Sequence, residues 1–192
     1  AVNDAINYIN QREYGWPFSH ATQTETLVAD QTRYTIPTGT QHVDYETFRI
    51  SKDNTLGVAG ISLRILDYKE YVDRFIDQET TSDVGGVPLY VFRTPDNNYG
   101  LYPYPDKAYQ LKYEYYSKPT LLSATTDAPA VPEQFRQVIV DGATAYAYQY
   151  RGEAQQYGIN FSRFEEGIKH MQSILLNRAD YVRSTYIPHS QR

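Results

Sequence analysis

The sequence predicts an α+β fold, with helices at both ends of the chain and a strand-rich middle. Three observations carry this. Residues Val2, Ala5, Ile6 and Ile9 repeat at helical spacing, as do two long stretches after Pro132. Between them, runs such as Tyr109 to Tyr116 alternate strictly, with Tyr109, Leu111, Tyr113 and Tyr115 on one face and Gln110, Lys112, Glu114 and Tyr116 on the other. A Pro/Ser/Thr/Ala stretch without periodicity, Lys118 to Ala130, separates the strands from the last helices and is the best internal boundary.

In chain order, the first helix is expected to stop near Tyr14-Gly15, with Trp16-Pro17-Phe18 packing as an aromatic anchor. Thr24–Val28 and Thr32–Ile36 flank Asp30-Gln31 and read as a hairpin. Val43–Ile50 and Ile61–Leu66 are further strands, with a polar turn over Ser51 to Thr55. Asp67-Tyr68-Lys69-Glu70 has the form of a capping box, followed by a short helix to about Gln78 and a loop from Glu79 to Gly86. Pro88–Arg93, Tyr99–Pro103 and Tyr109–Tyr116, joined by turns at 95–98 and 104–107, are expected to form a three-stranded antiparallel meander.

Pro132 suits the first position of a helix whose apolar face is Phe135, Val138, Ile139, Tyr146 and Tyr150, with Gly152 as its break. In the last helix Ala154, Tyr157, Phe161, Phe164, Ile168, Met171 and Leu175 form a three–four seam. The short connection makes the two helices antiparallel neighbours. The chain therefore divides into 1–18, a helix; 19–119, β-rich with a short helix near 67–78; 120–180, a helical hairpin; and 181–192, an extended tail.

Composition narrows the function. With 192 residues, 41% hydrophobic and 21% charged, the chain can build a core. No apolar run approaches the ~18 residues of a membrane span, and Ala1-Val2-Asn3-Asp4 lacks signal-peptide character. Zero cysteines exclude disulfides, thiolate zinc sites and cysteine nucleophiles. A net charge of −5 argues against a sequence-nonspecific grip on DNA, which needs clustered Lys and Arg. The 20 tyrosines suit half-wet interfaces as well as strands.

No catalytic, metal or cofactor site emerges. The histidines His20, His42, His170 and His189 match no ligand spacing, and no nucleophile elbow or phosphate loop is present. Carboxylates such as Glu165-Glu166 or Asp44/Glu46 read as solvated charge rather than an acid–base pair. A hydrolase built from dispersed carboxylates, or a carbohydrate-binding module with tyrosine platforms, are the alternatives the residues leave. Two long helices are unusual for the latter.

One ordered pattern is more specific. It runs Gly86-Val87-Pro88-Leu89-Tyr90, then Leu101-Tyr102-Pro103-Tyr104-Pro105-Asp106, then the Tyr-rich strand to Tyr116 and Lys118-Pro119. Leu121-Leu122-Ser123, Asp127-Ala128-Pro129 and Val131-Pro132-Glu133 follow, before the helix beginning at Phe135. This order resembles the head-to-tail adaptors of short-tailed bacteriophages, the tail tubular protein A-like or neck proteins.

The resemblance implies a helical bundle, the N-terminal helix plus two long C-terminal helices, with an inserted antiparallel β-rich region. It implies a non-enzymatic virion protein of the neck or tail, assembled in the host bacterial cytoplasm without cofactor or metal. Its expected partners are copies of itself in a ring, commonly a dodecamer, the portal protein and a tail nozzle or tubular protein. DNA would pass through the lumen without sequence-specific binding. The tail would dock on portal, mapping onto Arg183, Tyr186, Ile187 and His189. Tyr102, Tyr104, Tyr113, Tyr115 and Tyr116 are the candidates for subunit or nozzle contacts.

Overall fold

A computed structural model describes residues 1–51, 60–80 and 85–176, and it is mixed α+β. By internal contacts the chain splits into two compact units, Ala1–Ser19 with Lys118–Arg192, and His20–Ser117. The turn expected at Ser51 to Thr55, part of the loop at 79–86, and the tail lie largely or wholly outside the described residues.

The first unit holds three helices: α1 (Val2–Arg12), α3 (Arg136–Arg151) and α4 (Ala154–Leu175). One core joins Ala5, Ile6 and Ile9 of α1 to Val138 and Ile139 of α3 and Phe164, Ile168 and Met171 of α4. Their three–four spacing is what presents these side chains as a single inward stripe. Glycines at two crossings show that α3 and α4 run antiparallel: Gly142 meets Phe164, and further back along α3 Val138 meets Gly167, further on along α4. Gly152, at φ 79°, supplies the left-handed cap that ends α3.

Two details depart from the sequence-based expectations, the end of α1 and the place of Tyr150, while the Trp16 anchor agrees with them. Helix α1 ends earlier, where Glu13 turns extended, and Gly15 is not its stop. Trp16 is fully buried against the helices, donating from Nε1 to the Ile9 carbonyl at 3.0 Å. Tyr150 is not on the apolar face of α3. It is 95% exposed, and the inward positions are Val138, Ile139, Gly142 and Ala145. Tyr150 falls at the helix end, where the inward stripe has already rotated away.

The segment from Lys118 to Ala130 lacks periodicity but is pinned. Asn3 clamps Leu122 through two hydrogen bonds, donating from Nδ2 to its carbonyl and accepting its N–H through Oδ1. Asp127 accepts from the N–H groups of Ser123 and Ala124, which hold its carboxyl below the usual range.

The second unit packs two four-stranded sheets. The first has the order β1 (His20–Thr26), β8 (Gln110–Ser117), β3 (Thr40–Ser51), β4 (Ile61–Ser62), all antiparallel. The second runs β2 (Arg33–Tyr34), β7 (Tyr99–Tyr102), β6 (Tyr90–Arg93), β5 (Arg64–Ile65), with β5 parallel to β6. Both contribute to one core, including Val43, Phe48, Ile50, Leu111 and Tyr113 from the first and Val91, Tyr99 and Leu101 from the second. Helix α2 (Tyr68–Phe75) covers the second sheet, Tyr71 stacking on Phe92 with centroids 3.9 Å apart. Asp67 caps it by accepting from the Lys69 N–H, while Glu70 pairs with Arg74.

Strand partners differ from the expected ones. The turn at Asp30, held at φ 62°, does not make a hairpin: β1 pairs with β8 and β2 with β7, so the chain changes sheets there. The meander is likewise only two-stranded. β6 and β7 pair, but β8 crosses to the other sheet between β1 and β3. Pro103 and Pro105, which lack an N–H to donate, end the β7 ladder and release the chain. The expected strand over Ile61–Leu66 is two short ones in different sheets, β4 and β5.

Candidate interaction surface

Five tyrosines and four tail residues were the candidates from sequence. Tyr113 is fully buried between the sheets, stacked on Phe48 at 4.4 Å, and Tyr104 is nearly as well covered. Tyr102 is half-buried beside α2, its ring on Phe75 and its hydroxyl donating to Gln78. Tyr115 and Tyr116 are also half-buried, on opposite faces of β8. Tyr116 lies near His20 and His42, and His20 Nε2 is 3.0 Å from the Glu114 carboxylate. Arg183, Tyr186, Ile187 and His189 lie outside the described residues.

Much of the tyrosine content is thus internal. Tyr34, Tyr71, Tyr99 and Tyr109 are buried as well. Burial and the Glu25 carboxylate, which accepts from Tyr99 at 2.7 Å, push the Tyr99 hydroxyl far up. Desolvation costs an ionised phenol more than a neutral one, so Tyr34, Tyr99 and Tyr109 stay protonated as core members. They do not form an exposed stacking platform.

A second regular stripe of the first unit lies on α3, opposite its core stripe. Arg136, Val140, Ala143, Ala147 and Arg151 recur at intervals of four, three, four and four, which places them on one side of the helix. They line a groove of about 590 Å³, closed at its sides by Val2, Leu122 and Pro129. Val140 is 53% exposed at its centre. The small side chains Ala143 and Ala147 form the depression, and the two arginines stand about 22 Å apart at 1.5 Å per residue. Arg151 pairs through Nε with Glu153 at 3.3 Å, while Arg136 has no ion-pair partner among the described residues. This second stripe was readable in sequence, since its spacing is as regular as that of the inward one.

Charge is also unevenly placed. Residues 20–117 carry 14 Asp and Glu against 9 Lys and Arg, whereas the rest of the chain has nine of each. The entire net charge of −5 therefore belongs to the β-rich unit. Among the described residues, no group of three or more His, Cys, Asp or Glu could hold a metal ion, and no helix is long and apolar enough to cross a membrane.

The sequence model of the SU10 adaptor protein family matches residues 1–187, nearly the whole chain. The chain belongs to the SU10 adaptor protein family. It is thereby a structural head–tail adaptor of a phage, a virion component that contacts other head and tail parts. No curated protein matches the adaptor.

Proposed function

We propose that the adaptor forms a closed ring, a dodecamer, beneath the portal of a short-tailed phage, continues the DNA channel and gives the tail nozzle its platform. The observation that carries this is the charge partition. A unit bearing all of the net negative charge suits a channel wall, because a wall that pairs with phosphates would release counterions and hold the DNA it must let pass. A ring needs two different side faces that close by rotation. The half-buried Tyr102, Tyr115 and Tyr116 offer amphipathic area for such contacts. The C-terminal residues Arg183, Tyr186, Ile187 and His189 make the portal contact. No catalytic step is assigned to any residue.

Native mass spectrometry of the chain alone and mixed with portal protein tests this. The expected result is multiple copies loaded on each portal, lost when residues 186–192 are removed while the circular dichroism spectrum is unchanged. A chain that leaves portal unloaded at micromolar concentration overturns the proposal. Unchanged loading by the truncated chain removes the tail contact alone.

A further inference from the structure

The groove on α3 is the surface that the fold leaves least explained. Its floor is Val140, Ala143 and Ala147, its walls are Val2, Leu122 and Pro129, and its ends are Arg136 and Arg151. No carboxylate lines it among the described residues. A surface of this form, apolar along four helical turns with an arginine at each end, Arg136 without an ion-pair partner among the described residues and Arg151 with one bond to Glu153, fits a helix laid lengthwise. Such a helix would set apolar side chains at i, i+3, i+4 and i+7 into the depression. Carboxylates at its two ends would then meet the two guanidiniums, for which the fork of Arg is suited.

The chain's own helices do not offer that complement. The outward side of α4 follows the same spacing, but reads Ile159, Arg163, Glu166, His170, Ile174, which puts polar and charged groups at the centre and isoleucines at the ends, the reverse of what the groove needs. Helix α2 carries two acidic and two basic residues, its eight residues span only about 12 Å, and Tyr71 is committed to Phe92. Residues 177–192 carry three Arg and one Asp, the wrong sign for a groove ended by arginines. Charge complementarity therefore selects a different protein.

We propose that the α3 groove binds an amphipathic helical segment of another virion protein, with carboxylates at both ends and a three–four apolar stripe between them. The inference rests on the groove and family membership, not on the ring. A chain that ignores portal but shows the peptide preference below loses the ring and keeps the groove.

The test is fluorescence anisotropy of the full chain with two labelled synthetic 16-residue helical peptides. They share one leucine stripe and differ only in having Glu or Lys at both ends. The Glu-ended peptide should bind at least tenfold more tightly at low salt, and the advantage should shrink in 0.5 M NaCl. Arg136→Glu with Arg151→Glu should invert the preference, both positions being exposed and outside the core. Val140→Glu should weaken both peptides at least tenfold with the melting temperature preserved. Equal binding of the two peptides, or none by either, overturns the proposal. So does self-association of the chain that Val140→Glu abolishes, since a second copy would then fill the groove.

Discussion

Gly142 of α3 lies directly against the ring of Phe164 of α4: a Cβ on Gly142 would stand 2.7 Å from Phe164 Cε2 and 2.9 Å from Ala5 Cβ of α1. All three helices of the first unit meet at this point, and Phe164 is fully buried there. Gly142→Ala should therefore destabilise the chain by about 1–3 kcal/mol, although alanine is the better helix former, because overpacking outweighs propensity. Thermal denaturation checks this, and an unchanged melting temperature would mean the helices are not so closely seated.

Gly158, in the same α4, has open space where a Cβ would go. Gly158→Ala should accordingly stabilise by roughly 0.5–1 kcal/mol through helix propensity. Gly152→Ala should go the other way by about 1 kcal/mol, since φ 79° is a left-handed conformation that glycine adopts readily and alanine does not. Chemical denaturation of the two variants side by side reads both signs.

Two buried tyrosines should respond oppositely to loss of the hydroxyl. Tyr99 donates to Glu25, so Tyr99→Phe should cost about 1–2 kcal/mol. The Tyr113 hydroxyl is buried with no hydrogen-bond partner among the described residues, so Tyr113→Phe should be neutral or stabilising. Urea unfolding midpoints distinguish them.

Alkaline pH should unfold the β-rich unit. Burial, reinforced by the hydrogen bond to Asp106, pushes the Tyr109 hydroxyl up to about 12, against 10.0 for a free tyrosine. Burial raises Tyr99 and Tyr113 in the same direction. The folded chain thus holds protons that the unfolded chain releases, and its stability falls as pH rises. That stability is intact below pH 10 and declines from there towards pH 12. Tyr109→Phe should flatten part of the decline in a melting series across that range.

The helices were legible because their signal is local. Val2, Ile6 and Ile9, Val138 with Ile139, and Phe164, Ile168 and Met171 announce their faces by spacing alone, and the structure buries all of them except the half-exposed Val2. Strand partners were not legible in the same way. Tyr113 alternates as an inward residue whichever strands flank it, so the pattern could not reveal that β8 lies between β1 and β3. The turn at Asp30 carries ordinary hairpin residues but passes between sheets, a fact set by distant partners such as Pro105, whose carbonyl accepts the Asp30 N–H. The outward stripe of α3 is as regular in sequence as the inward one, but its role as a groove is not. Arg136 and Arg151 look like ordinary solvated charge until the helix shows that Val140, Ala143 and Ala147 run between them.

The place of this protein at the joint between head and tail can be seen directly. Cryo-electron microscopy of virions that carry the chain with a bulky C-terminal fusion, or with a bound antibody fragment, should show extra density repeated around the axis at the base of the portal. Extra density only at the tail tip or on the fibres, or virions of full composition that lack the chain, would contradict it.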